Sequence, residues 1–548
     1  MNNKHKEFGA MLNPAESERI LNAAMGRGMS RRDALRMMGA AGVVIGGSGL
    51  LGAPGAAQAQ TPAPAAAGTP RRGGKIRAAA HSTSTADTLD PCKGSTAVDY
   101  TRHNMFYSGL TELDTQLVPH PALAEEFTHE GSKVWRFKLR KGVTFHDGKP
   151  LTAQDVVFSL MRHQNAELGS KVRSVAMQFE AVKAISPSEV EVTLTVANAD
   201  LPVILAASHF LILKDGTTAF TTAVGTGPYK CKEFRAGVRS VGVRNENFWK
   251  PGKPYLDEIE VIGIPDEAAR VNALLSGDIH LMNNMNPRSA QRVNASGTHA
   301  SLETKSSLYT DLIIRQDTTP AGSEDFTLAM KYMQDREQIR DAVYRGFATV
   351  GNDQPIQPGH RYYLEGLPQR GYDLDKAKFH LQKAGLAGAT MPIVCTPAAE
   401  GSVDIAALMQ QSAQKIGLNL TVNRVPADGY WSNHWMKHPL GFGNINPRPS
   451  ADLIFTQFFQ SDAAWNESGW KNPQFDQLLL QARAESDDTK RKKLYGDMQV
   501  LVHEKGGVGI PTFISFIDGY DKRIQGYGSV PLGGLMGYAF AEHVWLAA

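Results

Sequence analysis

The pattern of apolar and polar positions predicts alternating strands and helices from about residue 74 onward. Apolar and basic residues alternate over 135–140, and apolar residues occupy every second position over 190–196, so both segments are predicted to be strands with one exposed face. Residues 152–155 read Thr-Ala-Gln-Asp, a capping box that opens an amphipathic helix between these strands. A first strand is expected at 74–76.

Helical periodicity is clearest over residues 405–416, where apolar or small side chains recur on one helical face. Gly417 is placed to end this helix, and alternating apolar residues over 418–422 predict a strand directly after it. Further helices are predicted over 266–276, 325–344 and 373–384, and as a pair within 473–504. This succession of helices and strands predicts an α/β fold.

The composition excludes several classes of protein. The chain of 548 residues is 42% hydrophobic, which is enough for large packed cores. Its 58 basic and 55 acidic side chains leave a net charge of +3, so no nucleic-acid partner is expected. The three cysteines, Cys92, Cys231 and Cys395, form no CxxC pair, so neither a disulfide scaffold nor a zinc module is indicated.

The net charge is confined to residues 1–59. This segment holds seven basic and four acidic side chains, so the remainder of the chain carries 51 of each sign. It is organised as a signal peptide, with an apolar stretch over 37–51 that is too short to span a bilayer comfortably, and cleavage is expected after Ala59. Residues 60–73 then form a flexible linker that begins rich in Pro and Ala.

Two adjacent arginines stand just before the apolar stretch. Arg31 and Arg32, in the segment SRRDALR, resemble the twin-arginine signal that directs folded proteins across the bacterial inner membrane. An ordinary Sec signal with two chance arginines is the alternative. No Cys follows the apolar stretch, so we expect a soluble periplasmic protein without a lipid anchor.

The usual catalytic signatures are missing from the sequence. It contains no GxSxG after the signal, no GxxxxGK[ST], no GxGxxG opening a helix and no calcium loop. His434 and His438 would lie one helical turn apart, but the Glu of the zinc protease motif is missing, so a structural or surface role is favoured. We therefore predict no enzyme activity, no cofactor and no metal site.

Several segments in a fixed order carry a resemblance to a known family. They read LDPCKG, WRFKLRKGVTFHDGKPLTAQDVVFSL, GTGPYKCKEF, NENFWKPGKPYLDEIEV and PDEAARVNALLSGDIHLM. In this order they resemble the extracytoplasmic solute-binding proteins of ABC importers, family 5, the dipeptide, oligopeptide and nickel group. The resemblance covers about residues 74–548, and the combination is far more specific than any single segment.

The resemblance implies an α/β, two-lobed periplasmic-binding-protein fold of type II, cluster C, with an extra domain in the first lobe. Lobe 1 (domain I) is expected at 74–105, 222–307 and 513–548, the extra domain II at 106–221, and lobe 2 (domain III) at 308–512. The chain would cross outward in strand 306–314 and return over 510–516, and the ligand would be held between lobes that close about this hinge.

The resemblance also directs attention to the segment GNINPRPSAD. Peptide-binding relatives carry an Asp here whose carboxylate pairs with the amino terminus of the peptide, but Asn444 and Asn446 stand in its place. Arg448 offers a planar fork to a carboxylate, which favours an anionic or amino-acid-derived ligand. The alternative, weighed equally, is that Arg448 pairs with Asp452. Asp452 itself is interpreted as a helix cap that begins the segment 453–459.

Aromatic residues complete the predicted ligand site. Trp431 and Trp435 are four residues apart and would share a helical face that points either to the cleft or to the core. Trp465 and Trp470 flank a polar loop, for which a role in the pocket is favoured. Tyr309 lies on the outward crossing strand and would offer its hydroxyl group.

Two classes of function follow from the sequence. The first is a periplasmic binding protein, active as a monomer, that delivers a small solute to a membrane permease with ATPase subunits after export by the twin-arginine machinery. The second is an exported enzyme or metal-dependent protein on an unrecognised scaffold, against which the missing cofactor motifs weigh. The solute stays open between a peptide, an opine, a glutathione-like thiol and a chelated metal.

Overall fold

A computed structural model describes residues 69–547 of the chain. The predicted signal peptide, its cleavage site and most of the linker lie outside the described residues. Within residues 69–547, no helix is long and apolar enough to cross a membrane.

The described chain alternates strands and helices, as the apolar pattern predicts. The strands are β1 Lys75–Ala80, β2 Thr111–Leu113, β3 Pro119–Pro121, β4 Ala124–Glu130, β5 Val134–Leu139, β6 Phe179–Ser186, β7 Glu189–Leu194, β8 Tyr229–Arg235, β9 Arg239–Arg244, β10 Glu258–Gly263, β11 Leu281–Met282, β12 His299–Ile314, β13 Ala348–Val350, β14 Thr390–Cys395, β15 Asn419–Arg424, β16 Leu440–Ile445, β17 Val508–Gly509, β18 Thr512–Asp521, β19 Ile524–Gln525 and β20 Trp545–Leu546. The principal helices are α1 Ala97–Phe106, α2 Ala153–Met161, α3 Arg173–Ala176, α4 Leu201–Leu205, α5 Glu267–Ser276, α6 Pro287–Ala295, α7 Glu324–Tyr332, α8 Arg336–Gln338, α9 Leu374–Lys383, α10 Ser402–Ile416, α11 Tyr430–Asn433, α12 Ala451–Phe458, α13 Pro473–Ala484 and α14 Asp488–Lys505.

A ten-stranded mixed sheet runs through the molecule in the order β16-β12-β18-β11-β1-β10-β9-β8, with β13 and β17 paired to its long strands. The long strands β12 and β18 are antiparallel, and the first half of β12 pairs with β18 from His299 opposite Asp521 to Thr304 opposite Phe516. After an irregularity between Thr304 and Leu308, β12 continues along β16 and β17. These two strands therefore join the part of the sheet around β1 to the part around β16.

A separate four-stranded sheet, β4-β5-β7-β6, forms between α1 and β8. Its alternating pattern places Trp135, Phe137 and Leu139 in a buried core against α2, whose capping box is present as predicted. The predicted strand over 190–196 is confirmed only as far as Leu194. Val196 is exposed because the chain leaves the sheet before it.

The helix predicted over 405–416 is confirmed as α10, and β15 follows it. Gly417 ends the helix with φ 83°, a left-handed conformation that glycine adopts without a steric penalty. The single helix predicted over 325–344 is wrong, because the chain breaks after α7. Asp335 then caps a new turn by accepting a hydrogen bond from the backbone N–H of Gln338.

Apolar cores lie on both sides of the long strands. One surrounds β1 and β10 and includes Ile76, Phe106 and Val261. Another packs α7, α9 and α10 against the β14-β15 pair. A third joins α12, α13 and α14. The fold is thus an α/β structure in two lobes, connected through β12 and β18, with the four-stranded sheet as an additional unit.

Candidate functional site

A cavity of about 1260 Å³ lies between segments that are distant in the sequence. One side is formed by residues from the N-terminal third and the C-terminal end of the described chain, including Tyr100, His209 and Tyr538. The other side is formed by residues that follow β14 and β16, including Glu400 and Arg448. A volume of this size accommodates a small organic solute.

The first side presents a cluster of aromatic rings. Tyr100 projects from α1, and its ring lies 5.3 Å from that of His209 and 5.4 Å from that of Tyr538, measured between centroids. Burial lowers the pKa of His209, which favours its neutral form. These three rings therefore offer apolar faces and polar edges that carry no charge.

Arg448 lies on the opposite side and has neutral partners. Its Nε donates to Gln457 Oε1 at 2.7 Å, and its Nη1 donates to the backbone oxygens of Asn446 at 2.9 Å and Pro447 at 3.3 Å. The guanidinium also lies 5.4 Å from the centroid of the Phe458 ring. Burial lowers the pKa of Arg448, and no carboxylate among residues 69–547 pairs with it. A cation held in this way attracts an anionic group of a ligand.

The alternative pairing of Arg448 with Asp452 is wrong. Asp452 lies in the first turn of α12 and accepts a hydrogen bond from Arg483 Nε of α13 at 3.0 Å. The interpretation of Asp452 as the helix cap is also wrong, because Ser450 takes that position and accepts from the N–H of Leu453. Packing of α12 on α13 thus draws Asp452 away from the cavity and leaves Arg448 without a carboxylate.

The two asparagines of the same segment differ in their contacts. Asn444 lines the cavity, and its Nδ2 donates to Thr310 Oγ1 at 2.8 Å across the β12-β16 pair. Thr310 Oγ1 in turn donates to the backbone oxygen of Glu400 at 2.6 Å. Asn446 also lines the cavity, and its backbone oxygen holds Arg448. The first set of hydrogen bonds holds the turn at Glu400 beside β16, and the second holds Arg448 just after this strand.

Trp465 is the only one of the predicted aromatic residues that lines the cavity within the described chain. It is 45% exposed, and its ring contacts Phe458 and Trp435 at centroid distances of 5.7 and 6.4 Å. Trp470 is buried against Phe475 in the core. Tyr309 is buried and packs on Phe513, so its place is also in the core.

Trp431 and Trp435 do not line the cavity and do not share a continuous helix. The helix α11 ends at Asn433, and Met436 has a left-handed backbone with φ 61°, so the expected common helical face does not form. Their rings still contact each other at 5.8 Å. Trp435 Nε1 donates to Glu467 Oε1 at 2.6 Å, which ties it to the loop that carries Trp465.

Two carboxyl groups are buried beneath this tryptophan cluster. Asp311 on β12 and Glu467 meet over Gly443 of β16, where any side chain would collide with both. Burial raises the pKa of Asp311, and burial together with the neighbouring Asp311 charge raises the pKa of Glu467. The two groups titrate as a pair, and a shared proton removes the repulsion between them.

The acidic side chains that line the cavity differ in their partners. Glu112 and Glu542 both pair with Lys250, and Asp114 pairs with His120. Glu400 is exposed to solvent and has no such partner within residues 69–547, and partial desolvation at the cavity wall raises the pKa of its carboxyl group. Among residues 69–547, the cavity thus presents Glu400 without a cation partner, together with Arg448 and Lys171, which have no carboxylate partner.

The pair of histidines singled out in the sequence lies away from this cavity. His434 Nδ1 and His438 Nε2 are 3.1 Å apart, and their rings are stacked at 5.4 Å. Burial lowers the pKa of His438. Across the described residues, no group of three His, Cys, Asp or Glu side chains is placed to hold a metal ion.

Comparison with known families assigns the chain to one of them. The sequence model described as bacterial extracellular solute-binding proteins, family 5 Middle, matches residues 118–467. The chain belongs to this family. The predicted assignment is therefore confirmed, and the alternative of an exported enzyme on an unrecognised scaffold is not favoured.

Relatives of this solute-binding protein match most of its length. Heme-binding protein A of Haemophilus influenzae is 26% identical over 478 residues, 79% of this chain and 85% of the relative. The dipeptide-binding protein of Escherichia coli is 26% identical over 476 residues, 79% of this chain and 87% of the relative. The periplasmic binding protein DppA of Helicobacter pylori, solved with the peptide STSA, has a TM-score of 0.72 at 22% identity, over 87% of this chain and 99% of that chain. The predicted two-lobed α/β fold of type II is confirmed.

Several cavity residues of the solute-binding protein escaped the sequence analysis. Tyr100, His209 and Tyr538 are far apart in the chain and stand in no common motif. Glu400 lies in a turn before α10, where a polar residue has an ordinary explanation at a helix start. No local pattern distinguishes these residues, because their common feature is the cavity itself.

Proposed function

We propose that this protein captures a small peptide-like solute with a free carboxylate and delivers it to the permease of an ABC importer. The observation that carries the proposal is the cavity with Arg448 on its wall, a half-buried guanidinium whose partners are all neutral. A ligand carboxylate supplies the missing charge and takes hydrogen bonds from the guanidinium fork.

The names of the relatives support this class of function. One relative is a dipeptide-binding protein, and the solved DppA is an ABC transporter-associated periplasmic protein in complex with a peptide. The cavity of this chain adds aromatic faces, from Tyr100 and Trp465, that suit the side chains of a short peptide. Asn444, Asn446 and Arg448 supply its polar groups.

Of the predicted ligand residues, we retain four in the proposed site. Asn444, Asn446, Arg448 and Trp465 line the cavity. Tyr309 and Trp470 belong to the core behind the wall, Trp435 contacts Trp465, and Trp431 lies exposed outside the proposed site. This division reflects burial and ring contacts.

We propose that domain II spans 106–221, that lobe 1 spans 74–105, 222–307 and 513–548, and that lobe 2 spans 308–512. Closure about β12 and β18 would bring the two cavity walls together around the solute. The buried ion pair between Asp200 and Arg491, at 2.7 Å, joins proposed domain II to lobe 2. Small-angle scattering tests closure, because the radius of gyration should fall when ligand is added.

We also propose export to the periplasm as a soluble monomer without a lipid anchor, with Arg31 and Arg32 as the twin-arginine signal and cleavage after Ala59. Replacement of both arginines by lysine should retain the precursor in the cytoplasm. Cell fractionation measures export, and N-terminal sequencing of the exported protein locates the cleavage site. Unimpaired export of the variant would favour the Sec route instead.

Mass spectrometry of the ligand retained through purification tests the function directly. The exported protein is purified without added solute and unfolded in guanidinium, and the released small molecules are identified. We expect a molecule with a free carboxylate, recovered unchanged after incubation with the refolded protein. A ligand without a carboxylate, or its chemical conversion during incubation, would overturn the proposal.

A further inference from the structure

The contact between proposed domain II and proposed lobe 2 is built around the buried side chain of Asp200, the residue just before α4. Its Oδ1 accepts a hydrogen bond from Arg491 Nη2 of α14 at 2.7 Å, and Arg361 Nη2 lies 3.8 Å from the same oxygen. Asp200 makes no capping bond to α4. Within residues 69–547, both cation partners of this carboxylate therefore belong to proposed lobe 2.

The guanidinium of Arg491 is fixed by neutral groups of its own lobe. Its Nη1 donates to the Tyr362 hydroxyl at 2.9 Å, its Nη2 to the Tyr495 hydroxyl at 3.1 Å and its Nε to the backbone oxygen of Ala482 at 3.1 Å. Asp200 is its only carboxylate partner among the residues that the structure describes. Because the cation is already held in position, pairing with Asp200 costs little side-chain entropy.

Two further contacts follow the same boundary. The backbone N–H of Ala199 donates to the backbone oxygen of Arg483 of α13 at 2.9 Å. Leu453 of α12 packs against the core of the four-stranded sheet. Leu453 also lines the cavity, as does Ile204 of α4 on the other side of the boundary. This boundary therefore closes one edge of the cavity.

We propose that the ion pair of Asp200 with Arg491 and the hydrogen bond of Ala199 with Arg483 form a latch that breaks when the lobes open and forms again when they close. The four-stranded sheet unit then helps to hold the cavity shut without contacting the ligand. The inference rests on the proposed function, since it assumes closure about β12 and β18. The apparent affinity for ligand depends on the closed fraction, so the latch tunes it from a distance.

Amide exchange of two neighbouring residues reports on the latch without any ligand. The N–H of Asn198 donates to the backbone oxygen of Ser132 at 2.8 Å, inside proposed domain II, whereas the N–H of Ala199 donates across the boundary. Hydrogen–deuterium exchange of the refolded, ligand-free protein is resolved to single residues by mass spectrometry. We expect Ala199 to exchange about tenfold faster than Asn198 or more, because only its bond breaks on opening. Saturating tri-alanine should slow Ala199 alone.

The variant Asp200→Asn tests the ion pair, because it removes the charge and keeps the shape of the side chain. In the closed form it leaves the buried Arg491 without a counter-charge, whereas in the open form water reaches the guanidinium. The open form should therefore be favoured. We expect about tenfold faster exchange of Ala199 in the ligand-free protein, and about tenfold weaker binding of tri-alanine in calorimetric titration. Exchange of Asn198 should not change.

A matched variant controls for the loss of a buried ion pair as such. Asp353 is also a buried carboxylate between two arginines, but its partners Arg336 and Arg370 belong to the same lobe. Asp353→Asn should lower the melting temperature, and it should leave the exchange of Ala199 and the affinity for tri-alanine unchanged.

The outcomes distinguish this inference from the proposed function. If Ala199 exchanges as slowly as Asn198 in the ligand-free wild-type protein, the contact is permanent and the latch is overturned. If Ala199 exchanges fast but Asp200→Asn changes neither its exchange nor the affinity, the ion pair does not hold the lobes and the latch is overturned as well. If tri-alanine does not bind to the wild-type protein, the short-peptide ligand is rejected, and the exchange of Ala199 in the ligand-free variant still decides the latch.

Discussion

Replacement of Arg448 by alanine gives the sharpest test of the site. The guanidinium is held by Gln457 Oε1 at 2.7 Å and by two backbone oxygens, and its Nη2 has no recorded hydrogen bond to a residue in the range 69–547. This nitrogen is therefore free to donate to a ligand. Truncation removes the fork and the charge together, while the neutral groups that held it remain accessible to water in the cavity.

The size of the effect follows from the kind of bond that is lost. A hydrogen bond to a charged group contributes about 1.5–3 kcal/mol, which corresponds to a loss of affinity of about 10- to 150-fold. Because the contacts of Arg448 are otherwise local, the free energy of unfolding should change little. Arg448→Lys should lose part of the affinity, because it keeps the charge without the planar fork.

Isothermal titration with a carboxylate ligand, such as tri-alanine, measures the loss. Arg424→Ala is the matched control, since Arg424 is an exposed arginine at the end of β15 that does not line the cavity. A second titration with tri-alanine amide should show little further loss in Arg448→Ala. An unchanged affinity for the free acid in this variant would refute the role given to Arg448.

Three further predictions concern the fluorescence change on ligand binding, the free energy of unfolding and the pH dependence of stability. Trp465→Phe should remove most of the tryptophan fluorescence change on ligand binding, whereas Trp431→Phe, equally exposed but away from the cavity, should keep it; the reverse result would place the ligand elsewhere. Asp353→Ala leaves two buried arginine partners uncompensated and should cost about 3–5 kcal/mol in urea unfolding; a loss below about 1 kcal/mol would contradict this. Since the folded pKa values of Asp311 and Glu467 are raised, the stability this pair contributes is complete at low pH and is lost as pH rises through the folded pKa values. Glu467→Gln should therefore flatten the decline in unfolding free energy between about pH 5 and 8, and an equally steep decline would argue against the pair.

Local elements of the fold were predictable because their causes are local. The capping box at Thr152, the glycine end of α10 at Gly417 and the alternation around Phe137 each depend on neighbours within one turn or one strand. The break after α7 was missed because Asp335 has two possible roles in a helical pattern. Its capping bond starts a new turn that places Arg336 against the buried carboxylate of Asp353, a contact across 17 residues.

The candidate site was predictable only in part. The family resemblance led to Asn444, Asn446, Arg448 and Trp465, all of which line the cavity. The same reasoning did not decide whether Arg448 pairs with a ligand or with Asp452. Both would supply a carboxylate, and Asp452 is only four residues away in the sequence. The salt bridge of Asp452 with Arg483 depends on how α12 packs on α13, and the sequence contains no signal for that packing.

By itself the sequence determined the order of strands and helices, the family, and the segment where the ligand is expected. Only the tertiary structure decided which charges are left without partners, because an ion pair depends on distances between side chains from separate elements. The hydrogen bond from Thr310 of β12 to the backbone oxygen of Glu400 holds this turn beside β16, and both segments line the cavity together with Tyr100 and Tyr538. The free charges on Glu400 and Arg448 are therefore properties of the assembled cavity.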